Sequence, residues 1–124
     1  MSYWVYLENE DGCRCIIDRH EEGGTYAIGG TADAVLNVTY NYSWFYKRCL
    51  GEGDLRWLDG RQAAECIEQL DKAIGELGTD QHHSGCDPDA PIDYWAPTPG
   101  NAGYALNILL GWARQYPNAR FRVS

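Results

Sequence analysis

Two hydrophobic periods, kept in separate parts of the chain, constrain the fold most. Over residues 34–42, Leu36, Val38, Tyr40 and Tyr42 fall on one side, and Asn37, Thr39, Asn41 and Ser43 on the other. A period of two is that of a strand with one covered and one polar face. Over residues 60–77, Ala63, Ile67, Leu70, Ile74 and Leu77 recur at spacings of three and four, the period of an amphipathic helix. Asp59 is placed to cap its start and Gly78 to end it. A second long helix opens at Thr98 and Pro99 and carries the apolar stripe Ala102, Ala105, Leu106, Leu109, Trp112 and Ala113 up to Pro117. Strands and helices in separate runs predict an α+β fold. It is a small antiparallel β-sheet, a meander plus a C-terminal edge strand, packed against two main α-helices.

The remaining segments fit this plan. Residues 2–8 are aromatic and branched and read as a strand. Asp11-Gly12 is a favoured hairpin pair, so residues 13–19 are expected to return as the partner strand. Apolar groups on both faces of that hairpin point to a central or covered position. Ser43 can cap a short helix through Leu50, ended by Gly51. Residues 79–93 form a long polar loop, and Phe121 and Val123 alternate with two arginines as a closing edge strand.

At 124 residues the chain is expected to be a single domain able to bury a core without staples. Its formal net charge of −8 argues against direct nucleic-acid binding, which needs clustered Lys and Arg. The charge is uneven: residues 62–95 hold eight acids and one base, whereas residues 96–124 hold three arginines and no acid. No apolar stretch approaches the length of a membrane span, so no membrane association is expected. The first residues read as a strand rather than a secretory leader, and five cysteines without framework spacing suit a reducing cytoplasm. The sequons at Asn37 and Asn41 are then coincidental.

No catalytic set is legible. His20-Glu21-Glu22 could be an acid–base cluster, but a polar strand end before a turn explains it more simply. Cys13, Cys15, His83 and Cys86 offer thiolates and an imidazole for zinc, though the single-residue gap between the first pair is not that of a tight metal knuckle. The reading is therefore no metal and no cofactor, and more a binding protein than an enzyme. Pro99-Gly100-Asn101-Ala102-Gly103 opens a helix, whose free N–H groups favour an anion. It lacks the Lys-Ser/Thr of a phosphate loop, and glycines that serve close packing are the simpler explanation.

What stands out is aromatic and glycine content. Aromatic residues make up 13% of the chain. A candidate binding face combines Gly23, Gly24, Tyr26, Gly29 and Gly30 with Tyr94, Trp95, Thr98, Gly100 and Asn101, helped by Tyr40, Tyr42 and Trp44. Aromatics with nearby amides and hydroxyls suit a protein hot spot or a flat ligand.

Three runs carry a resemblance. They are His20-Glu21-Glu22-Gly23-Gly24-Thr25-Tyr26-Ala27-Ile28-Gly29-Gly30, the segment Leu36-Asn37-Val38-Thr39-Tyr40-Asn41-Tyr42-Ser43, and the segment Tyr94-Trp95-Ala96-Pro97-Thr98-Pro99-Gly100-Asn101-Ala102-Gly103. Together they resemble a family of small uncharacterised proteins of phages, prophages and other mobile elements. The resemblance implies no activity and no catalytic residue. It implies a small accessory protein that acts by binding a host or defence factor. The expected function is thus a non-enzymatic cytosolic interaction protein with a protein partner, with a homodimer open. The alternatives are a nucleotide or small-molecule sponge using the helix start at Gly100, and a zinc-binding structural protein.

Overall fold

A computed structural model describes residues 2–16, 25–27, 34–50, 53–80 and 96–124. Four strands form an antiparallel sheet: β1 (Ser2–Glu8), β2 (Thr25–Ala27), β3 (Val35–Thr39) and β4 (Arg120–Val123), in the spatial order β2-β3-β1-β4. Three α-helices, α1 (Ser43–Cys49), α2 (Ala63–Leu77) and α3 (Pro99–Gln115), complete the α+β fold, and α2 packs along α3. No helix among the described residues is long and apolar enough to cross a membrane.

Strand β1 is central because its two sides are taken by β3 and β4. Its register, Tyr3 opposite Val38 and Val5 opposite Leu36 on one side, Val5 opposite Val123 and Leu7 opposite Phe121 on the other, gathers every one of these side chains on one buried face. That face meets the buried stripes of α2 (Cys66, Leu70, Ala73) and α3 (Ala105, Leu106, Leu109, Ala113). Cross-strand apolar pairing of this kind ties the register to the core, since a one-residue slip would turn each side chain outward.

The expected hairpin partner is not a ladder strand. The turn at Asp11-Gly12 forms, with Gly12 at φ +83°, but Arg14 makes only a single bridge, to Glu8. With both sides of β1 occupied, the returning chain has only the end of the strand to bond: Cys15 N–H donates to Leu7 O at 2.9 Å. Residues 17–19 of that expected strand lie outside the described residues.

Two further expectations are corrected. Strand β3 stops at Thr39, and Tyr40–Tyr42 is a 3₁₀ turn rather than strand. Thr39 Oγ1 accepts from Asn41 N–H at 3.2 Å, and Ser43 Oγ donates to Tyr40 O at 2.6 Å. These side-chain bonds offer the backbone an alternative to the ladder, and they win. The polar side of β3 is also not a solvent face. Asn37 is 2% exposed, and its amide donates to Ser2 Oγ at 2.7 Å.

Asp59 does not cap α2. The helix begins at Ala63, and its Gln62 cap makes no side-chain bond. The N–H groups of Ala63 and Ala64 donate instead to Ala119 O at 2.7 Å and Pro117 O at 2.9 Å, so the chain leaving α3 satisfies the start of α2. Asp59 Oδ1 accepts from Val123 N–H, and Gly60 and Arg61 exchange backbone bonds with Phe121. The outer edge of β4 is thereby covered, as an exposed strand edge must be to avoid pairing with other chains.

Candidate functional site

Helix α1 is short and two-sided. Tyr46 points inward, fully buried, and its hydroxyl donates to Ala102 O at 3.0 Å, which binds α1 to α3. Burial holds the Tyr46 phenol well above its ordinary range. Tyr42, one turn earlier, packs edge-on against Tyr46 at 6.1 Å. With the inner side anchored by these two rings, Trp44, Lys47 and Arg48 face outward, at the i, i+3 and i+4 spacing that makes helix neighbours.

Trp44 is 59% exposed, and among the described residues the only other exposed large hydrophobic side chain is Ile16. Its ring packs edge-on against Phe45 at 5.1 Å, and the Arg48 guanidinium lies 4.7 Å from its centroid. Stacking fixes a long cation over an aromatic face and leaves the in-plane N–H groups free to donate. Beside the indole is a cavity of about 290 Å³, lined by Trp44, Phe45, Arg48, Cys49, Glu76, Leu77 and Pro99. Three elements converge here: α1, the last turn of α2 and the first turn of α3. The Cys49 thiol is pushed up to about 11, first by burial and then by the nearby Glu76 carboxylate, so at neutral pH it is a protonated part of the wall rather than a nucleophile.

The start of α3 explains the glycines of the third sequence run. Thr98 Oγ1 accepts from Asn101 N–H at 3.2 Å, the expected cap. A Cβ on Gly100 would lie 1.6 Å from Asp80 O, and one on Gly103 would lie 1.7 Å from Gly78 O. These glycines let the backbone leaving α2 run against α3. A carbonyl therefore occupies the space a phosphate would need at Gly100, and the helix start is filled by the protein itself. The close packing that these glycines allow is with the exit of α2.

The structure thus unites Trp44 with the Thr98–Pro99 segment through Pro99, but turns other candidates inward. Tyr42, Gly100 and Asn101 are buried, and Asn101 Nδ2 donates to Ala96 O at 3.1 Å. Tyr26 stands in register with Asn37, itself opposite Trp4. Gly23, Gly24, Gly29, Gly30, Tyr94 and Trp95 lie outside the described residues, as do His20, Glu21, Glu22, His83 and Cys86. Of the zinc candidates that are described, Cys13 is exposed, whereas Cys15 is buried and its thiol donates to Asn9 Oδ1 at 3.2 Å. The two do not share a face, contrary to the expectation for a strand, because they lie at a turn.

Tyr40 belongs to a polar cluster that sequence reasoning missed. Its ring packs edge-on against Tyr3 at 4.5 Å, and Arg56 lies over both rings. Tyr3 and Ser43 share a hydroxyl–hydroxyl bond of 2.7 Å. Asp54, 5% exposed and at φ +54°, accepts from Arg56 N–H at 3.2 Å and pairs with the Arg56 guanidinium at 3.6 Å. Burial pushes the Tyr3 phenol up to about 12, with Asp54 contributing in the same direction. The Ser43 hydroxyl donates to Tyr40 O and the phenol keeps its proton, so this cluster ties β1 to α1 rather than activating a nucleophile. The Gly53-Asp54 pair was its one sequence signal, as Asp is among the few residues that tolerate left-handed backbone.

A second concavity, about 510 Å³, is a groove between Asn9–Asp11 and the link from α3 to β4, with Tyr116 as its aromatic. It presents no exposed aromatic anchor, so the Trp44 face is the stronger candidate. Comparison with protein-family models, curated proteins and solved structures gives no match to this chain.

Proposed function

We propose that this chain is a non-enzymatic interaction protein that holds a partner protein on the outer face of α1. The observation that carries the reading is Trp44, an exposed indole with Arg48 stacked on it beside a cavity whose walls include Phe45, Leu77 and Pro99. Trp and Arg dominate measured interface hot spots, and their value rises where a neighbouring pocket can be desolvated. Exposing an indole to water costs free energy in the isolated chain, and a partner that covers it recovers that cost. The resemblance to small mobile-element proteins supports a cytosolic host or defence factor as the partner class.

The test is affinity capture from a host lysate with the wild-type chain and with Trp44→Ala. A stoichiometric protein retained by the wild type and lost with Trp44→Ala, while the melting temperature is unchanged, is the expected result. Equal retention by both proteins overturns the assignment to α1.

A further inference from the structure

Resting on the reading above, we infer that the α1 face takes an acidic peptide segment of its partner, one apolar side chain entering the cavity and flanking carboxylates pairing with Lys47 and Arg48. The overall charge of −8 suggests a basic partner, but the charge at this face has the opposite sign. Helix α1 contains no acid, and its only charged residues, Lys47 and Arg48, fall in its last turn. Both are exposed, and neither makes an ion pair among the described residues. Two other stacked arginines, Arg56 and Arg61, differ: Arg56 is paired with Asp54, and Arg61 Nε donates to Trp57 O at 2.7 Å.

Arg48 is pre-oriented for this role. Its stack on Trp44 holds the guanidinium plane, and the planar fork matches a carboxylate bidentately. Phe45, Leu77 and Pro99 in the cavity wall favour an apolar group, with Arg48, Cys49 and Glu76 completing the lining, and about 290 Å³ suits one large side chain. Glu76, which lines the same cavity, disfavours a polyphosphate strand, whose repeated charges could not avoid it, whereas a peptide can place its acids on the Lys47–Arg48 side alone.

The experiment selects displayed random peptides on the full chain, then measures binding of the enriched peptides to wild type, Trp44→Ala and the double variant Lys47→Glu/Arg48→Glu. Enriched sequences should place Asp or Glu beside one large apolar residue. Their affinity should fall at least about tenfold in each variant and weaken as salt rises. The double variant should enrich Lys- and Arg-flanked anchors instead. Trp44-dependent peptides with no acidic bias, or with a basic one, overturn this inference and leave the interaction reading standing. Absence of any Trp44-dependent peptide overturns both. Two added measurements exclude other occupants. Binding of an oligothymidine that is lost in the double variant assigns the cations to phosphate. A dimer in sedimentation that Trp44→Ala dissociates assigns the face to a second copy. Either result overturns the peptide proposal.

Discussion

Asp59 Oδ1 lies 3.0 Å from the backbone nitrogen of Val123 and accepts its hydrogen bond. An acid placed by sequence at a helix start thus closes a sheet edge instead. Asp59→Ala leaves that N–H without its partner and should cost about 1–2 kcal/mol in chemical denaturation. Exchange of the Val123 amide should quicken more than that of Val5. Unchanged exchange at Val123 would show that the bond does not hold the edge.

Gly103 and Gly111 make a matched pair on α3. A Cβ at Gly103 meets the Gly78 carbonyl at 1.7 Å, whereas one at Gly111 meets nothing within 4 Å. Gly103→Ala must push two backbones apart and should destabilise by about 3 kcal/mol or more. Gly111→Ala gains helix propensity and should stabilise by roughly 0.5–1 kcal/mol. Similar effects from the two, read by thermal melts, would contradict the close approach of α3 to the end of α2.

Alkaline pH should weaken the fold in a defined window. Burial raises the Cys49 and Cys66 thiols from 9.0 to about 11, and the Tyr3 phenol from 10.0 to about 12. Above pH 9 the unfolded chain loses protons that the folded chain keeps, so it binds fewer and stability falls with rising pH. Their contribution is intact below pH 9 and is lost progressively between pH 9 and 12. Melting temperatures from pH 8 upward should bend downward near 9, and Cys66→Ala should flatten the first part of that bend.

Thiol labelling at neutral pH should separate the cysteines. Cys13 is exposed and Cys66 fully buried. The labelling lost on Cys13→Ser should be fast. The labelling lost on Cys66→Ser should appear only with global unfolding, matching its denaturant dependence. Fast reaction of Cys66 under native conditions would contradict its place between α2 and the sheet.

The sequence by itself determined the longer elements β1, β3, α2 and α3. A period of two placed β3, periods of three and four placed α2 and α3, and Gly78, Thr98 and Pro117 marked helix ends, because local backbone preference and an apolar face act within a few residues. Trp44 was legible as an aromatic of interest from the chain's high aromatic content. The tertiary structure decided which elements meet and which groups stay outside. It set β1 between β3 and β4, moved Asp59 from helix cap to sheet edge, and turned Gly100 and Gly103 toward the carbonyls beyond α2. It buried Tyr42 and left Trp44 in water beside Arg48. Those outcomes depend on hydrogen-bond partners and packing surfaces from distant parts of the chain, whose identity no local pattern encodes.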